Sequence, residues 1–167
     1  MNAMDKIEAA SKTKGCVTGI PSGFLDLDYR TAGFHPSNLI LIAARPAMGK
    51  TAFVLNIAQH VAFRQNKTVA IFSLEMSKEE LINRMFSLES HVEAQNLRTG
   101  QLNDEEWEQL IESAGVIGQS KLFIDDTPSI SIAELRTKCR KLSLEQNLSM
   151  IIIDYLQLMS GGGKSES

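Results

Sequence analysis

Four short apolar runs alternate along the chain with longer stretches of helical period. The runs are residues 39–44 (LILIAA), 68–73 (TVAIFS), 121–125 (KLFID) and 150–154 (MIIID). Their length and composition predict strands, the first two fully buried. Residues 50–65 place Val54, Ile57, Ala58 and Val61 on one stripe with Phe53 and Leu55 beside it. That is the wide apolar face of a helix packed on a sheet, and Asn66 suits a left-handed cap. Capping boxes announce three further helices: Ser77 with Glu80, Asn103 with Glu106, and Ser131 with Glu134. They are expected to run to about residues 88, 116 and 146, the middle one turning Trp107, Leu110 and Ile111 inward. Strands alternating with helices predict an α/β domain with a mostly parallel sheet flanked by helices.

The ends are less regular. Residues 1–14 are polar and alanine-rich, and Met4, Ile7 and residues 10–11 share one face of a possible helix. So short a helix needs a docking partner to persist in water, and a frayed terminus fits the same residues. Residues 17–24 are rich in turn formers, and residues 25–34 read as a short helix closed by Gly33. The tail 160–167 is glycine- and serine-rich, and is expected to be mobile.

Composition narrows the class. With 167 residues, 43% hydrophobic and 22% charged, the chain has the makings of one globular core. A net charge of −3 argues against a surface that binds nucleic acid all over, while leaving room for a local basic loop. Cys16 and Cys139 are far apart and suit inert thiols of a reducing compartment. No apolar run approaches the roughly 18 residues of a membrane span, and the expected location is the cytoplasm, with no membrane partner.

The chemistry gathers where the runs end. Residues 39–51 read LILIAARPAMGKT: an apolar run, a turn with Pro46 and Gly49, then Lys50 and Thr51 opening a helical period. The phosphate-loop template G-x-x-x-x-G-K-[ST] matches at Gly49, Lys50 and Thr51, with Ala44 at the first glycine position. Strand, glycine turn and helix N-terminus together make a phosphate cradle, to which Lys50 adds a full charge and Thr51 a hydroxyl for Mg²⁺. In open α/β sheets ligands collect at the carboxyl ends of strands. Asp154 ends the fourth run as a Walker-B aspartate would. Glu75, two residues past the second run, suits either a group that orients an attacking water or a charge at a helix N-terminus. Asp125 and Asp126, followed by Thr127-Pro128-Ser129, read as loop caps rather than a metal pair. Arg136, Lys138, Arg140 and Lys141 read as a solvated helix face. His35, His60 and His91 lack metal-ligand spacing. Arg45 either touches phosphate or shapes the turn, and Trp107 reads as a core anchor.

TGIPSGF, AARPAMGKTAF, SLEMS, NLRTG, IDDTPS and IIIDYLQLM, in that order, closely resemble the bacterial replicative hexameric DNA helicases of the DnaB type. The likeness runs from about residue 7 to the end. It implies a RecA-like P-loop NTPase core, incomplete at its C-terminus, over residues 15–159. Residues 1–14 are then the remnant of an inter-domain linker helix that packs on an adjacent subunit, and 160–167 the start of a DNA-binding loop. It also implies ATP and Mg²⁺ as cofactors. Ala44, Arg45, Pro46, Ala47, Met48, Gly49, Lys50, Thr51 and Ala52 would bind nucleotide, with Thr51 and Asp154 toward the metal and Glu75 and Lys50 catalytic. Alanine at the opening of the cradle is normal in that family. Implied partners are five further copies in a hexamer, single-stranded DNA, a primase and a helicase loader. The family continues past residue 167 with its γ-phosphate sensor, its arginine finger and a strand between the cradle strand and the Walker-B strand. The sheet of the present residues is therefore expected to have a gap. Two other classes fit parts of the pattern: a nucleotide-binding or oligomerisation module without motor activity, and a RecA-like recombinase or signalling ATPase.

Overall fold

The computed structural model describes residues 2–12 and 17–159, in two units, Met1–Lys50 and Thr51–Ser167. The expectations for Cys16 and for the tail 160–167 lie outside the described residues.

In the first unit, helix α1 (Ala3–Lys12) is capped by Asn2, whose side chain accepts from the Asp5 N–H while Asp5 accepts from the Asn2 N–H, 2.9 Å each. No residue of α1 is buried, and Met4 and Ile7 are exposed. Further on, α2 (Leu25–Thr31) is folded back by a bridge in which Ile20 and Phe34 exchange backbone hydrogen bonds of 2.8 Å. A Cβ on Gly19 would meet the Phe34 carbonyl oxygen at 2.6 Å, so no side chain fits there. The helix closes with Ala32 and then Gly33 at positive φ, which is the ending expected of Gly33. Buried Asp28 ties this turn together. Its carboxylate accepts from the Ser22 N–H and hydroxyl, 2.7 Å each, and from the Gly23 N–H at 3.3 Å.

Residues 39–44 correct the sequence reading. They form no strand and join no ladder, and Leu39 and Leu41 are 87% and 76% exposed. An apolar run becomes a strand only where another strand satisfies its N–H and C=O groups.

The second unit is built on a three-stranded parallel sheet of order β2-β1-β3, not the four strands expected. Helix α3 (Lys50–Gln59), which belongs to this unit from Thr51 on, runs into a π-helical turn (His60–Arg64) where the Gln65 N–H reaches the His60 carbonyl. Asn66 then takes the left-handed conformation expected of a cap. Strand β1 (Thr68–Ser73) is central and buried at all six residues. Helices α4 (Lys78–Ser90), α5 (Ala94–Thr99) and α6 (Asp104–Gln119) lead to β2 (Leu122–Asp125), and α7 (Ile132–Gln146) leads to β3 (Leu148–Asp154). Ser77, Asn103 and Ser131 all make the predicted capping boxes. A single 3₁₀ turn (Leu156–Leu158) closes the described chain.

Ala70 and Phe72 of β1 pack with Ile130 and Cys139, and Leu135, Leu142 and Leu148 close around them. Burial pushes the Cys139 thiol above its ordinary pKa, as expected of an inert core cysteine. Trp107 is not a core anchor. It is 48% exposed and Ile111 68% exposed, while Leu110 is half-buried and Ser113 is the buried residue of α6. The helix packs on α4 with a face rotated from the one its apolar residues suggest.

Candidate functional site

In the first unit the predicted cradle is a turn. The Met48 N–H donates to the Arg45 carbonyl at 3.3 Å, and Ala47 and Gly49 both take positive φ. At Gly49 the requirement is conformational, since a Cβ there would meet no atom within 4 Å. Residues 44–49 are exposed, and Lys50 is the half-buried first residue of α3.

In the second unit, Thr51 and Asp154 come together although 103 residues separate them. The Thr51 hydroxyl donates to Asp154 Oδ2 at 2.9 Å. Asp154 is 5% exposed at the carboxyl end of β3. A carboxylate is drawn into so dry a place only when hydrogen bonds or a cation offset its lost hydration. The pair offers hydroxyl and carboxylate oxygens side by side at a helix start and a strand end, a donor set that fits Mg²⁺.

Glu75 stands at the same end of the sheet. Ser73 is in register with Asp154, and the next N–H, that of Leu74, donates to the Asp154 carbonyl at 2.8 Å. Glu75 follows on an exposed bend between β1 and α4. The bend is fixed from within: the Ser73 hydroxyl donates to the Met76 carbonyl at 2.7 Å and accepts from the Met76 N–H at 3.2 Å. Just beyond it, Asp126 Oδ2 accepts from the Lys78 N–H at 2.9 Å.

Asp125 faces another way. It accepts from the Thr127 N–H at 2.9 Å and from Lys138 Nζ at 2.6 Å, and Lys138 also reaches the Thr127 hydroxyl. Burial alone would raise the Asp125 pKa, but the hydrogen bonds from Lys138 and Thr127 outweigh it and hold the carboxyl below its ordinary range. Asp125 thus caps its own loop, as its sequence suggests, Asp126 instead caps the distant start of α4, and Lys138 departs from the solvated helix face read for the basic run. Sequence reasoning missed the Ser73 clamp and the reach of Asp126 to α4. A serine three residues ahead of the N–H it binds was the available signal for the first.

Comparisons with known proteins converge. The family described as DnaB-like helicase C terminal domain matches residues 19–167. The replicative DNA helicase DnaC of Bacillus subtilis (strain 168) is 53% identical over 162 residues, covering 97% of this chain and 36% of its own length. The replicative DNA helicase DnaB of Geobacillus stearothermophilus is 52% identical over 162 residues, with the same coverage. The chain therefore spans about a third of these relatives. Among solved structures, one described as an ATPase domain superposes with a TM-score of 0.90 at 33% identity, over 98% of this chain and 59% of that one. A DnaB-like replicative helicase, described with its interactions with primase, gives 0.88 at 33% identity, over 99% and 40%.

Proposed function

The chain belongs to the family of DnaB-like helicase C-terminal domains, and from that premise we propose that it is the ATP-binding part of a replicative DNA helicase, which couples ATP hydrolysis to the unwinding of duplex DNA during replication. Its RecA-like α/β fold, with a parallel sheet flanked by helices, is that of the family's ATPase domains. The observation that carries the proposal is the hydrogen bond from the Thr51 hydroxyl to the buried Asp154 carboxylate.

Each residue has a physical role in this reading. The turn Ala44, Arg45, Pro46, Ala47, Met48 and Gly49 wraps the phosphates, with backbone N–H groups such as those of Ala47 and Gly49 turned to them while Pro46, which has none, shapes the turn. Ala52 continues that contact into the helix. Lys50 lends a full positive charge beside Thr51. Thr51 and Asp154 hold Mg²⁺, and Glu75 orients and polarises the attacking water. When bound, Mg·ATP supplies the γ-phosphoryl group and the divalent charge that offsets its negative oxygens.

In the whole protein, this part assembles into a homo-hexamer in the cytoplasm, acts on single-stranded DNA, and meets a primase and a helicase loader. Residues 1–14 then end a linker helix, residues 15–159 form the N-terminal part of the ATPase domain, and residues 160–167 begin a DNA-binding loop. Among the described residues no helix is long and apolar enough to cross a membrane.

Lys50→Ala in the full-length protein tests the proposal. ATP hydrolysis is expected to fall by about a hundredfold or more, with strand separation lost. Full activity in that variant overturns the reading. Size exclusion separates a motor subunit from a nucleotide-binding module without motor activity, since only the motor subunit forms rings with Mg·ATP.

A further inference from the structure

Glu75 is exposed, and exposed side chains on bends normally wander, yet the bend under it is tied at both ends. On the strand side, the Leu74 N–H is held by the Asp154 carbonyl, the backbone of the residue whose side chain accepts from Thr51. Across the bend, the Ser73 hydroxyl closes on both the N–H and the C=O of Met76, leaving only Leu74 and Glu75 between its anchors. Ser73 itself is 1% exposed, so water does not compete for that hydroxyl. On the helix side, the Ser77–Glu80 capping box fixes the start of α4. Asp126 reaches over from the loop after β2 to take the Lys78 N–H, a donor that no residue within the helix can satisfy.

From this geometry we infer that Ser73 and Asp126 are positioning residues for Glu75: they fix the bend that presents its carboxylate to the attacking water. The inference rests on the reading of Glu75 given above. Neither residue touches the reacting atoms. Each acts through the backbone on either side of Glu75, where a displacement of about 1 Å at a reacting group can cost about a hundredfold in rate.

The test uses Ser73→Ala, Asp126→Ala, Asp126→Asn and Glu75→Gln in the full-length protein. Both alanine variants are expected to lose about tenfold to a hundredfold in kcat for ATP hydrolysis, while KM for ATP stays within about twofold. Asp126→Asn keeps an oxygen acceptor for the Lys78 N–H and should recover most of the rate. Amide hydrogen exchange without nucleotide gives a reading independent of activity. In Ser73→Ala, exchange at residues 74–78 should quicken about tenfold, while β3 stays as protected as before. Wild-type kcat in both alanine variants overturns the inference, as does unchanged exchange over residues 74–78. An equal loss in Asp126→Asn and Asp126→Ala also overturns it, because it would assign the effect to charge rather than to the hydrogen bond. Glu75→Gln separates this failure from the other. If that variant hydrolyses ATP normally, the reading of Glu75 fails and this inference with it. If it is inactive while Ser73→Ala and Asp126→Ala are not, only the inference fails.

Discussion

Two six-residue runs of similar character meet opposite fates in this molecule. Residues 39–44 lie exposed and unladdered in the first unit, while Thr68–Ser73 is buried throughout as the central strand of the second. The difference extends to the units that contain them. Among the described residues of the first unit no apolar side chain is buried, and its interior is Ser22, Asp28 and Gly33, with Ser22 and Asp28 joined by hydrogen bonds. The second unit buries Leu55, Ile57, Val61, Val69, Ile71, Phe72, Leu81 and Met85, among others. Hydrophobicity makes burial favourable, but a strand also needs a neighbouring strand for its backbone groups: β1 has one on each side, and residues 39–44 have none.

The same truncation made in each run should give the largest contrast. Ile71→Ala in β1 removes a side chain that is 2% exposed and should cost about 3 kcal/mol, read as a lowered urea midpoint. Leu41→Ala should cost no more than about 0.5 kcal/mol by the same measurement. Comparable losses at the two positions would break the contrast, since residues 39–44 would then be contributing apolar burial after all.

That contrast also marks how far the sequence could be read. Three capping boxes, the run of β1 and the acid ending β3 were legible because each depends on residues within a few positions of one another. The Thr51–Asp154 pair was legible through the rule that ligands gather at strand ends and through the family resemblance, because nothing local links residues 103 apart. Periodicity misplaced Trp107 and Ile111: it identifies an apolar stripe but not whether a partner lies against it, and α6 rests on α4 by another side. Helix α5 and the π-helical turn carry no distinct pattern. The clamp on Glu75 was hidden for a similar reason, since the same serine hydroxyl could as well have faced solvent.

A middle-sized effect sharpens the comparison from the first unit's side. Asp28→Ala leaves the Ser22 and Gly23 N–H groups without their acceptor and should destabilise that unit by about 2 kcal/mol. The measurement is limited proteolysis within residues 17–38, which should quicken several-fold. The urea midpoint of the second unit should barely move. A fall in that midpoint as large as the one from Ile71→Ala would mean that the two units unfold together.

The smallest effect comes from the second unit's own carboxylate contact. Asp28 is held by neutral donors, whereas Asp125 is held by Lys138 at 2.6 Å, with both side chains partly open to solvent. Screening limits such a pair to about 1 kcal/mol or less. The hydrogen bonds keep the folded-state pKa of Asp125 below its unfolded value, so folding favours the ionised form. The contribution is therefore complete above the ordinary aspartate pKa of about 3.9, and is lost as pH falls from there through the lower folded value. Lys138→Met should lower stability at pH 7 by about 0.5–1 kcal/mol, and the gap from the wild type should persist to about pH 5 and narrow below about pH 4. Urea unfolding of both proteins across that range decides it. A gap that stays constant into acid would show that Lys138 contributes by packing its stem along α7 rather than by its charge.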